Sequence, residues 1–147
     1  MQKTETHVSQ SAQQTRELGK QWGKRLRAGD LVTLEGELGA GKTTLVQGIA
    51  AALDARGDIV SPTFVLVLEH EGAVPLLHLD AYRLENLDDE ALNDAGIFDF
   101  LARDDAVKIV EWPSRITSVL RRVRFQISLR HGENDHERVL EITEFML

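Results

Sequence analysis

The residues with the clearest chemistry are Gly36-Glu37-Leu38-Gly39-Ala40-Gly41-Lys42-Thr43, followed by Thr44. They fit the spacing G-x-x-x-x-G-K-S/T, a loop that cradles phosphates. A phosphate chain is a dense cluster of negative charge. Binding it takes many donors at close range and few side chains in the way. Glycines at 36, 39 and 41 let the backbone turn tightly and aim its N–H groups inward. Lys42 would reach the β- and γ-phosphates, and the Thr43 hydroxyl would bind Mg²⁺.

Two carboxylates sit where they can complete such a site. Asp80 follows the apolar run Leu76-Leu77-His78-Leu79, as the metal-holding acid of a nucleotide hydrolase follows its strand. The plainer alternative for Asp80 is an aspartate capping the next helix. Glu111 follows Val107-Lys108-Ile109-Val110 in the same way. A carboxylate there can orient or deprotonate the attacking water, or add to the metal shell. The sequence leaves open which acid does which job. Ser61-Pro62-Thr63 adds hydroxyls beside a stiffened turn, a pattern suited either to sensing a γ-phosphate or to a simple polar turn. Arg83 can neutralise phosphate charge or pair on the surface. Trp112 can pack as core or face a partner. His78 lies within an apolar strand and reads as structural rather than as a metal ligand.

The elements around these residues follow from periodicity. A short leading strand is expected near Glu5 to Val8. Ser9 or Ser11 then caps a helix running to about Arg27, with Thr15, Leu18, Gly19, Trp22 and Leu26 on one face and Lys20, Lys24 and Arg25 outside. Trp22 reads as core. Leu31-Val32-Thr33-Leu34 is the strand entering the loop, and Thr44 to Leu53 is the helix leaving it, so bound phosphate would sit at a helix N-terminus. Ile59-Val60 and Phe64 to Leu68 are β-prone. His70-Glu71-Gly72-Ala73 closes a hairpin onto Val74 to Leu79. Glu85 to Leu101 reads as one or two helices broken at Ala95-Gly96. Ala106 to Val110 is a buried strand, Ile116 to Leu120 a helical turn, and Val123 to Leu129 with Arg138 to Thr143 a closing hairpin. The mixed order predicts an α/β fold over residues 1–147 as a single domain built around the phosphate loop. Its sheet would be P-loop NTPase-like, a parallel core with added antiparallel hairpin strands, flanked by helices.

Composition narrows the functional classes. The chain has 147 residues, no cysteine and a net charge of −7. Disulfides, zinc–thiolate sites and cysteine nucleophiles are excluded. An acidic chain is poorly suited to gripping nucleic acid alone, because phosphate contacts dominate that affinity. No apolar run has membrane-spanning length, and Met1 to Lys20 is polar, so a cytoplasmic location is expected.

Together these stretches resemble the TsaE (YjeE) family of small bacterial P-loop ATPases. The resemblance rests on the loop from Gly36 to Thr44, on Ser61-Pro62-Thr63-Phe64, on His78-Leu79-Asp80-Ala81-Tyr82-Arg83-Leu84 and on Glu111-Trp112-Pro113. It spans nearly the whole chain, and the last two elements are far more specific than the loop. It implies a Mg²⁺-dependent ATPase, slow alone, in threonylcarbamoyladenosine biosynthesis. This modification lies on the adenosine after the anticodon of tRNAs reading codons that begin with A. The family does not transfer the threonylcarbamoyl group itself. It binds a transferase subunit (TsaD-like) and its paralogous partner (TsaB-like), and ATP turnover resets that complex. The partners would hold the tRNA.

By the same resemblance Lys42 lies on phosphate, Thr43 on Mg²⁺, and Asp80 and Glu111 near metal and attacking water. Thr63 belongs to a switch-like segment, and Ser11 lies toward the adenine. Ala81 stands where the family often has a larger aliphatic residue, Ala95 where leucine is frequent, and Ser114 where an acid is frequent; none is a proposed ligand. Two other classes fit a phosphate loop. A small-molecule kinase would need an arginine-bearing lid, for which Arg121-Arg122 with Arg124, entering a strand, is poorly placed. A nucleotide-operated binding module would bind ATP with negligible hydrolysis. No Asn/Thr-Lys-x-Asp guanine-reading motif is present, which favours ATP over GTP.

Overall fold

The computed structural model describes residues 2–59 and 67–146. Its strands are β1 (Gln2–Ser9), β2 (Leu31–Gly36), β3 (Val67–His70), β4 (Leu76–Asp80), β5 (Val107–Glu111), β6 (Val123–His131) and β7 (Arg138–Phe145). Its helices are α1 (Ala12–Gly23), α2 (Lys42–Ala52), α3 (Asp89–Asp94) and α4 (Ile97–Ala102). Among the described residues the strands form one seven-stranded sheet in the order β1-β7-β6-β2-β5-β4-β3. The centre is parallel: β2 pairs with β5 and with β6, and β4 pairs with β5. Antiparallel hairpins close both edges, β3 on β4 and the β6–β7–β1 group on the other side.

Two apolar clusters explain why the central strands are apolar on both faces. Val32, Leu34, Leu76, Val107, Ile109, Phe125 and Ile127 pack with Trp22, Leu45, Val46 and Ile49 of α1 and α2. On the opposite face Leu31, Leu77, Leu79 and Val110 pack with Leu92, Ile97 and Phe100 of α3 and α4. Side chains alternate along a strand. Leu76 faces α2, so His78 and Asp80 share its side; Ile109 faces α2, so Glu111 shares that side as well. The pleat therefore brings the polar ends of β4 and β5 to the edge of the α2 cluster.

The helices α1 and α2 meet through glycines. A Cβ on Gly19 would lie 2.3 Å from the Leu45 carbonyl oxygen, and one on Gly48 would lie 2.0 Å from the Arg16 carbonyl oxygen. Only glycine permits this approach, which sets α1 directly against the helix that follows the phosphate loop. A buried hydrogen bond of 2.7 Å between Ser9 Oγ and Thr15 Oγ1 ties the end of β1 to α1.

Most expected elements are present, with shifted ends. α1 stops at Gly23 rather than near Arg27, because Arg25 and Leu26 donate to the carbonyls of Trp22 and Gly23 in a tightening turn. The helix expected from Glu85 starts at Asp89. Asp88 caps it, its carboxylate accepting from Ala91 N at 2.8 Å, and Tyr82–Leu84 forms a separate 3-10 turn. The break at Gly96 separates α3 from α4 as expected. Val60 and the Ser61-Pro62-Thr63 segment, with the expectation for Thr63, lie outside the described residues. Among the described residues no helix is long and apolar enough to cross a membrane.

Candidate functional site

The loop between β2 and α2 is shaped by left-handed glycines. Gly39 has φ 80° and Gly41 has φ 102°, a conformation that a side chain at either position would strain. Gly41 is also the N-cap of α2 and supplies no side-chain cap. The first N–H groups of the helix are thus left for an anion, with the helix dipole behind them. Lys42 and Thr43 open this helix, which places both beside the same N-terminus.

A cleft of about 660 Å³ lies over this terminus. Leu38, Gly39, Gly41, Lys42, Thr43 and Thr44 form one wall; Asp80, Tyr82, Arg83, Glu111 and Trp112 form the other. Sequence-predicted residues from three separate stretches are brought together here: Lys42 and Thr43 from the loop, Asp80 from β4 and Glu111 from β5. Asp80 and Glu111 are register partners at the carboxyl ends of adjacent parallel strands, where α/β sheets bind ligands.

Gly36, Glu37 and Ala40 do not line this cleft. Gly36 and Glu37 border a shallow neighbouring depression with Trp112 and Leu129. Ala40 is fully buried behind the loop, its N–H donating to the Glu37 carbonyl at 3.1 Å.

The acids differ in their surroundings. Asp80 is half-buried, and its Oδ1 accepts from Tyr82 N at 2.9 Å, while the N-cap of the Tyr82–Leu84 turn is Ala81. Glu111 is 3% exposed. Its Oε2 lies 2.5 Å from Nε2 of His78, and its Oε1 lies 3.7 Å from Nζ of Lys42. The lysine also sits 4.5 Å above the Trp112 ring centroid, a cation–π arrangement. Trp112 is held there in a left-handed conformation, φ 57°, and Tyr82 meets it edge-on at 5.1 Å. Arg115 covers both rings and pairs with Glu85. The sequence reading did not anticipate this aromatic and cationic cover. Its signal was the Glu-Trp-Pro and Tyr-Arg spacing, which carries no information about which rings touch.

A second cavity of about 370 Å³ continues past Gly39, Gly41 and Thr44. Ser11, Gln10 and Thr15 line it, with Asp135, His136 and Arg138 from the β6–β7 end. Ser11 is the N-cap of α1, its Oγ accepting from Gln14 N at 3.1 Å. The expected Ser11 position is therefore next to the loop, but its hydroxyl is already engaged in capping. The β6–β7 turn as a wall of this cavity was not foreseen; Arg138 donates to the Gly39 carbonyl at 3.4 Å.

A family model described as "Threonylcarbamoyl adenosine biosynthesis protein TsaE" matches residues 9–140. The chain belongs to the TsaE family. Among curated TsaE relatives, the Streptomyces coelicolor protein is 43% identical over 82% of this chain and 81% of its own. The Treponema pallidum protein is 39% identical over 84% and 89%. Both are described as tRNA threonylcarbamoyladenosine biosynthesis protein TsaE. The crystal structure of Bacillus subtilis YdiB superposes with a TM-score of 0.77 at 29% identity, covering 98% of this chain and 87% of that one. The matched TsaE region includes every residue that lines the cleft, from Leu38 to Trp112.

Proposed function

We propose that this chain is a Mg²⁺-dependent ATPase serving tRNA threonylcarbamoyladenosine biosynthesis, where it binds and resets a transferase complex. The observation that carries this reading is the convergence of Lys42, Thr43, Asp80 and Glu111 on one cleft at a helix N-terminus. Family membership and the relatives' descriptions support the pathway. The partners are a TsaD-like transferase subunit and its TsaB-like paralogue. A net charge of −7 accords with those partners, rather than this chain, holding the tRNA.

The donor chemistry fits Mg²⁺. The Thr43 hydroxyl and the carboxylates of Asp80 and Glu111 are hard oxygen donors. Among the described residues no group of three or more His, Cys, Asp or Glu is placed to hold a metal. The protein's share of the shell is then small, as in sites where Mg²⁺ uses one or two carboxylates with substrate phosphates. When bound, the ion offsets phosphate charge. The chain's own residues do the rest. Backbone N–H groups of Gly39 and of Gly41 to Thr44 bind and orient the phosphates, and Lys42 stabilises charge on the terminal phosphate. Asp80 and Glu111 orient the metal and the attacking water, and a carboxylate there can accept that water's proton. Lys42 Nζ lies near both Glu111 and the Trp112 ring; a phosphate in the loop would compete for the same ammonium.

The test is an ATPase assay with and without the two partner proteins and tRNA. The wild-type chain is expected to hydrolyse ATP slowly alone and faster in the complex. Labelling of a metabolite acceptor by ATP would replace this reading with a kinase. Tight ATP binding without turnover in either state would replace it with a binding module.

A further inference from the structure

We propose that His78 is a positioning residue that holds Glu111 by Oε2 and so commits Oε1 to the chemistry of the cleft. This rests on the ATPase reading above. His78 is fully buried in β4, and its Nε2 lies 2.5 Å from Glu111 Oε2. The register places His78 beside Ile109, so Glu111 is one pleat further along on the same face. The ring spans that step diagonally.

The other neighbours of Glu111 do not fix it. Lys42 Nζ, at 3.7 Å from Oε1, is beyond hydrogen-bond length and must also turn to phosphate. A glutamate has three rotatable bonds, and a hydrogen bond accepted by a carboxylate is stronger than one between neutral groups. That is enough to select one orientation. With an ammonium facing Oε1, the carboxylate accepts and Nε2 carries the donated proton. His78 Nδ1 has no partner among the described residues. A core-filling role would be served as well by leucine, without the cost of leaving a buried polar nitrogen unpaired. The bond to Glu111 is what a leucine would lack.

Two measurements on the full-length chain test this. In ¹⁵N-edited NMR spectra the His78 Nε2–H proton is expected far downfield and slow to exchange, and lost in Glu111→Ala. A His78 ring protonated on Nδ1 alone, or a signal unchanged in Glu111→Ala, would overturn the proposal whether or not the chain hydrolyses ATP. In turnover assays with the partners, His78→Leu is expected to lower kcat roughly ten- to a hundredfold while the Mg-ATP Kd changes less than about threefold. His78→Gln, whose amide reaches as far as Nε2, restores most of the rate; the shorter His78→Asn does not. In a Glu111→Ala background His78→Leu costs nothing more. Unchanged kcat in His78→Leu, or an added loss in the Glu111→Ala background, overturns the proposal. If His78→Leu fails to fold, the Gln and Asn variants decide. Wild-type turnover in Glu111→Ala would instead remove the catalytic role of Glu111 itself, leaving the NMR result to judge its orientation.

Discussion

The two walls of the cleft are built in opposite ways. The phosphate wall is local and mostly backbone. Gly39, Gly41 and the first turn of α2 lie within a few residues of one another, and their conformation is set by the absence of side chains. The acidic wall is long-range and made of side chains. Asp80 ends β4 and Glu111 ends β5, with His78 against Glu111 and the Trp112 ring facing Lys42. Binding to the first wall requires only that the loop form. On the proposed ATPase reading, activity at the second requires the sheet register, a buried hydrogen bond and an aromatic cover to be in place at once. The difference predicts that nucleotide affinity and turnover respond to different mutations.

The largest effect is expected at the point where the walls meet. Lys42→Ala should reduce ATP hydrolysis by roughly a hundredfold or more, the scale of losing a preorganised charge-stabilising group. Circular dichroism should show the fold retained, and tRNA modification in a reconstituted system should be lost. Wild-type hydrolysis in this variant would separate the loop from the chemistry.

Breaking the support of the phosphate wall should act through stability. Gly48→Ala places a methyl 2.0 Å from the Arg16 carbonyl position and must push α1 from α2. The cost should be about 3 kcal/mol or more, the upper end of overpacking, because the obstacle is backbone. Denaturant unfolding measures it, and a change below a few tenths would show that the helices yield freely.

These two variants also mark what was legible in the sequence. Lys42 was legible because the glycine and lysine spacing is itself the structure of the loop. The α1 start, narrowed to Ser9 or Ser11, and the break at Ala95-Gly96 were legible for the same local reason. Gly48 was not, because nothing in its helix says that the Arg16 carbonyl lies against it. The β6–β7 hairpin was readable as two strands, yet its place between β1 and β2, with β6 parallel to β2, was not. A strand's alternation names its faces but not its neighbours. His78 was readable as buried and not as bonded to Glu111, since that contact depends on the β4–β5 register. The acids were legible as strand-end carboxylates, and their different burial was not.

Ser11→Ala sharpens the comparison on the phosphate side. It should cost about 1 kcal/mol from loss of the N-cap, read by denaturant unfolding. ATP affinity should fall only if the second cavity is part of the nucleotide site; unchanged affinity would confine Ser11 to capping.

The smallest effect lies away from both walls. Lys108 is buried and donates to the Leu101 carbonyl at 2.8 Å. Burial lowers its ammonium below the ordinary value of 10.5, against the opposing pull of Asp104, Asp105 and Asp30. The unfolded chain then binds more protons than the folded one just below that value, so this group's contribution to stability rises with pH there. Lys108→Met should abolish that alkaline rise in unfolding free energy. A rise of equal size in the variant would assign it to another group.

The central claim is that one cleft joins a phosphate loop to a separate acidic wall that drives turnover. The most direct measurement compares wild type and Glu111→Ala for Mg-ATP binding by calorimetry and for ATP hydrolysis with both partner proteins and tRNA. Retained binding with hydrolysis slowed by about a hundredfold is the predicted result. Full hydrolysis in Glu111→Ala would contradict the account.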